Sequence, residues 1–127
     1  MSHITKIKTQ LKDGQVLRKT LLKLGYHVKE GGMVSGGYGR DRKNVEILAT
    51  NSGQAIGFRR SGSDLDPYEI ISDWNGNQKK QHQLVHDIFQ TYSQEKVMKF
   101  ARSRGYSIIT NHTNQNGQIE MVLRKVA

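Results

Sequence analysis

The sequence predicts an α+β fold, ferredoxin-like in plan: an antiparallel or mixed sheet with two helices on one side. Three observations carry this expectation. Two stretches place apolar residues at helical spacing, short β-rich runs bounded by glycine and asparagine surround them, and a Gly-Tyr pair follows each helical stretch. The recurring order of strand, helix, Gly-Tyr, strand, polar turn and strand suggests two βαββ half-repeats, near 3–49 and 68–126. Aligning them sets Leu17 and Lys19 opposite Val97 and Lys99 but Leu22 and Leu24 opposite Arg102 and Arg104, so the echo is one of structure rather than of sequence. At 127 residues, the chain is expected to form one domain, 1–127, with one core.

The first strand is His3 to Thr9, carrying Ile4 and Ile7. Asp13 can then cap a helix over Gln15 to Leu24, whose Val16, Leu17, Leu21 and Leu24 share a side. Gly25 supplies its left-handed stop, and Tyr26 to Lys29 reads as a returning strand. The glycine-rich stretch from Gly31 to Gly39 reads as a flexible connection. Val45 to Ala49 and Ala55 to Arg59 form a hairpin about Asn51, Ser52 and Gly53. Tyr68 to Trp74 is a further strand, broken by Asn75, Gly76 and Asn77. The longest element is a helix over Gln78 to Arg104, with Leu84, Val85, Ile88, Phe89, Tyr92, Val97 and Ala101 near helical spacing and a phase slip around Ser93. Tyr106 to Thr110 and Gln118 to Val126 close the chain as strands around an Asn114 to Gly117 turn.

Composition narrows the chemistry. Without cysteine there is no disulfide framework, thiolate metal site or cysteine nucleophile, which fits a reducing compartment. No stretch approaches the roughly 18 apolar residues of a membrane span, and the opening MSHITKIKTQ lacks the apolar run of a signal peptide. The formal charge of +9 is uneven: residues 1–29 carry seven Lys/Arg and one acid, and residues 96–127 carry six and one. Residues 30–95 carry seven bases and nine acids, so the positive excess belongs to the two ends.

The opening MSHITKIKTQ, LGY after the first helix, the GGYGR stretch, AIGFR and YEIISDW, in that order, resemble the conserved hypothetical chloroplast reading frame thirty-five family, over essentially the whole chain. The resemblance implies a plastid stroma or cyanobacterial cytoplasm and brings no catalytic residues with it. The glycine-rich stretch GGMVSGGYGR departs from the family in being richer in glycine.

Candidate sites follow from residue chemistry. Lys96, Lys99, Arg102 and Arg104 punctuate the end of the long helix, where one or two cations would suffice to answer its dipole. With Arg18, Lys19 and Lys23 of the first helix they would make a basic surface. Arg40, Arg42 and Lys43 add charge after the glycines, with Tyr38 as a stacking candidate beside them. Trp74 is either a second stacking platform or, more commonly for such a residue, core. His82 and His86 stand four apart on the long helix, a spacing that can grip a metal, with His3 or Asp87 as conceivable third ligands. Gln83 occupies the position of the glutamate base of a zinc protease, which argues against that activity. The glycines lack the GK[ST] of a Walker A loop, and the RNP1 pattern of an RNA-recognition motif is absent. Asp64, Asp66, Glu69 and Asp73 cluster in sequence but read as a solvated turn and strand. No cofactor fingerprint and no reaction can be named. The expectation is a non-enzymatic accessory protein that binds RNA, a ribosome or an acidic face of a photosynthetic protein assembly, in peripheral association with it; the alternative is a metal-dependent factor or enzyme using His82 and His86.

Overall fold

A computed structural model describes residues 4–36, 41–60, 62–73 and 78–125. The elements in chain order are β1 (Ile4–Lys8), α1 (Gly14–Lys23), β2 (His27–Gly36), β3 (Asp41–Asn51), β4 (Gln54–Arg59), β5 (Glu69–Asp73), α2 (Gln78–Ser103), β6 (Tyr106–Thr113) and β7 (Ile119–Lys125). The class is α+β, with every strand pair antiparallel.

Local chemistry sets most boundaries. The Asp13 carboxylate accepts the Gln15 and Val16 N–H groups at 3.1 and 3.2 Å, satisfying donors that the first turn of α1 cannot pair internally. At the other end Gly25, at φ +90°, lets Tyr26 N–H reach Leu21 O and Gly25 N–H reach Leu22 O, a Schellman closure. Ser52 and Gly53, at φ 49° and 81°, make a two-residue hairpin turn whose twist suits the flanking strands. The phase slip near Ser93 does not interrupt α2, which runs unbroken for 26 residues.

The sheet departs from the ferredoxin-like expectation. Its five strands run in the order β1-β5-β4-β3-β2, while among the described residues β6 and β7 pair only with each other. The element order of the two half-repeats is present, but their pairing is not equivalent. The β2–β3 hairpin continues into β4 and β5, whereas β6–β7 is held on α2 by side-chain bonds. Gln90 Nε2 donates to Gly117 O at 2.5 Å and Gln94 Nε2 donates to Asn111 Oδ1 at 2.6 Å.

Both helices cover one face of the large sheet. Leu17 and Leu21 of α1 and Ile88 and Tyr92 of α2 share a core with Ile47, Ile56, Phe58 and Ile70. The opposite face is covered by a part of the chain expected to be a loop. Residues 31–36 are strand, paired from Gly32↔Val45 to Gly36↔Asp41. Backbone pairing over this long hairpin, together with the burial of Val34, outweighs the low strand propensity of its glycines. The distal hairpin lies across the sheet, where Val34 and Val45 pack with Ile71, Ile4 and Leu48 in a second core. This close approach needs a glycine. A Cβ on Gly57 would collide with Val45 and stand 2.8 Å from Val34 Cγ2. Covered on both faces, β4 and β5 bury consecutive residues, Ile56 to Phe58 and Ile70 to Ser72.

Candidate functional site

Lys19, Lys23, Lys96 and Lys99, four of the predicted helix cations, are organised by carboxylates where α1 and α2 lie side by side. Asp13, besides capping α1, receives Lys99 Nζ at 2.7 Å and Lys96 Nζ at 3.3 Å from α2. Tyr92 on α2 grips the same corner, its hydroxyl accepting the Asp13 and Lys12 N–H groups at 2.9 and 3.3 Å. Burial opposes ionisation of Asp13, yet the Lys99 bond, the Val16 N–H and Lys96 outweigh it and bring its pKa down to about 2.

A second carboxylate, Glu95, is 3% exposed. Lys23 contacts its Oε1 and Lys19 lies 3.4 Å from its Oε2. Burial again resists the charge, but the bond from Lys23 and the charges of both lysines hold the Glu95 pKa below the ordinary glutamate value. The lysine heads remain half-exposed, so their stems cover apolar surface while their charge faces water.

Between the helices runs an open groove of about 450 Å³, lined by Gln15, Val16, Lys19, Glu95, Lys99, Arg102 and Ser103. Arg102 is exposed and has no ion-pair partner among the described residues. Outside the groove lining, Arg104 stacks over the Phe100 ring at 5.0 Å, and Phe100 and Val97 are exposed. The wall offers binding groups rather than an activated nucleophile: the Ser103 hydroxyl donates to Phe100 O at 2.8 Å.

A second, more polar groove opens at the start of α1 and includes Lys12, Arg18, Arg60, Tyr68 and Lys96. Arg18 makes a two-pronged bond to Glu30, at 2.7 and 2.6 Å. Arg60 binds Glu46 at 2.7 Å and lies 4.7 Å above the Tyr68 ring. The Arg18 bond lowers the Glu30 pKa and the Arg60 bond lowers that of Glu46, while burial raises the Tyr68 phenol. Sequence reasoning overlooked Glu95, Arg60 and Tyr68. Only Glu95, a single acid between basic turns on an amphipathic helix, carries a local signal.

The remaining candidates lie elsewhere. Arg42 and Lys43 belong to the distal β2–β3 hairpin, across the sheet face opposite the helices, and so are separate from the α1–α2 groove. Tyr38, Arg40 and Trp74 fall outside the described residues. His82 and His86 are exposed on α2, and among the described residues no three His, Cys, Asp or Glu side chains gather as metal ligands. Asp87 is engaged by Gln83 Nε2 at 2.9 Å, and His3 is not described. Asp66 accepts Ser63 N–H within its turn, and Glu69 and Asp73 stand at opposite ends of β5. No described helix is long and apolar enough to cross a membrane.

Comparison with known proteins bears on this arrangement. A model described as "Protein of unknown function (DUF1257)" matches residues 20–122. The chain is 27% identical, over 133 aligned positions covering 98% of each, to the "Uncharacterized protein ycf35" of Guillardia theta. No solved structure matches it.

Proposed function

We propose that this chain, which belongs to the DUF1257 family of proteins of unknown function, is a non-enzymatic accessory protein that docks the acidic surface of a larger protein assembly onto its α1–α2 groove. The setting is the plastid stroma or cyanobacterial cytoplasm that the sequence resemblance implies. One observation supports the reading above others: Lys19, Lys99 and Arg102 line a single groove together with the apolar side chain of Val16. Arginine is among the usual anchors of protein interfaces, and cations around an apolar floor suit an acidic partner. Asp13 and Glu95 contribute by holding Lys99 and Lys19 in place before a partner arrives, so less side-chain freedom is lost on docking. Ion pairs with half-exposed lysines are weak enough for an incoming carboxylate to share them.

The test is affinity capture from a native lysate of a photosynthetic source, comparing wild type with the Gln15→Glu, Arg102→Glu double variant, both positions lining the groove, with and without RNase. Recovery of one defined complex by wild type, resistant to RNase and lost with the double variant, is the expected result. Partners that vanish on RNase treatment, with an affinity falling steeply with salt, would replace the protein partner by RNA. Equal recovery by both proteins would remove the groove from the function.

A further inference from the structure

A second face, next to the groove but separate from it, combines an exposed leucine on a hydrogen-bonded loop with an apolar hollow of suitable size. Leu65 is 82% exposed at the tip of the loop between β4 and β5. Asp66 N–H donates to Ser63 O at 3.1 Å, Leu65 N–H to Ser63 Oγ at 3.2 Å, and Arg60 Nη1 to Asp64 O at 3.0 Å. The loop therefore offers Asp64-Leu65-Asp66 as a preformed acidic knob, with the Asp64 side chain 97% exposed.

The hollow lies between α2 and the β1–α1 connection. It has a volume of about 410 Å³ and is lined chiefly by Gln10, Leu11, Phe89, Tyr92 and Ser93, with Lys8 at its edge. Lys8 and Lys12 are exposed and have no ion-pair partners among the described residues. Knob and hollow flank the same strip of chain. Lys8, Thr9 and Gln10 border the hollow on one side and a cleft with Asp66 and Pro67 on the other. Lys12 and Lys96 face Asp64 across the polar groove. A two-fold axis through residues 8–12 would carry each knob toward the other copy's hollow.

We propose that this face is a self-association surface, on which Leu65 of one copy fills the hollow beside Phe89 of a second copy while Asp64 and Asp66 meet its Lys8 and Lys12. Acid against base around an apolar knob makes the surface complementary to itself, as a two-fold interface requires. It also leaves the α1–α2 groove free in each copy.

Sedimentation equilibrium over a concentration series tests the proposal, together with far-UV circular dichroism to verify folding. Wild type should reach a dimer, and Leu65→Asp or Phe89→Asp should each weaken it roughly tenfold or more by placing a charge where an apolar side chain is buried. The absence of cysteine permits a second measurement that does not depend on those variants. Leu65→Cys and Phe89→Cys proteins, mixed and oxidised with copper phenanthroline, should yield a disulfide-linked pair. Leu65→Cys mixed with Leu22→Cys, on α1, should not. A chain still monomeric at about 1 mM, a Kd too weak for a specific dimer, overturns the proposal. So does a dimer indifferent to both aspartates, or a mixture without the Leu65–Phe89 crosslink.

Discussion

Replacing Asp13 by asparagine removes the negative charge at the junction of the helices while keeping a side chain able to cap α1. In the native protein its pKa falls from 3.8 to about 2. A displacement of that size corresponds to about 2.4 kcal/mol favouring the folded state at neutral pH. Lys96 and Lys99 are half-exposed, and screening brings the expected loss for Asp13→Asn to about 1–2 kcal/mol. Asp13→Ala, which loses the cap as well, should cost about 1 kcal/mol more. The sign with pH follows from the lowered pKa. The stabilisation is complete above the unfolded value near 3.8 and is lost as pH falls through about 2, so at pH 3 roughly half should remain. Urea denaturation followed by far-UV circular dichroism, at pH 7 and pH 3, measures each difference. An asparagine variant as stable as wild type at pH 7, or a deficit that does not shrink at pH 3, would refute the assignment of Asp13 as the charged clasp between α1 and α2.

Other substitutions probe other joints. Gly57→Ala should lower stability by about 1–3 kcal/mol through overpacking against Val45 and Val34, and a second change, Val45→Ala, should restore part of the loss in thermal denaturation. Tyr92→Phe removes the acceptor for Lys12 and Asp13 N–H and should cost about 1 kcal/mol, with faster hydrogen exchange at those two amides as its local signature. Glu95→Gln should destabilise by about 1–3 kcal/mol at pH 7, since Lys19 and Lys23 lose a buried counter-charge but can turn to water. Because the Glu95 pKa is lowered, that deficit should narrow as pH drops below the ordinary glutamate value, which chemical denaturation at two pH values would show.

Features governed by neighbours in the chain were legible in the residues. Asp13 caps α1, Gly25 ends it in a left-handed turn, and Ser52-Gly53 closes the β3–β4 hairpin, because each requires only a few adjacent atoms. The two helices are equally readable from their apolar spacing, since a helix exposes its pattern within two turns. The stretch from Gly31 misled for the same reason: local propensity favours a loop, and only pairing with β3 and burial of Val34 and Val45 over Gly57 make 31–36 a strand. The site divides along this line. The cations of α1 and α2 and their common side of the sheet follow from sequence, but the partners that organise them do not. Lys99 meets Asp13 across 86 positions of chain, and Lys19 and Lys23 meet Glu95 from the other helix. The residues alone determined the α+β class, the helix ends and the excess of positive charge. The tertiary structure decided the strand order, the covered second face and which cations are held by carboxylates, because these depend on contacts between segments whose separation along the chain carries no local signal.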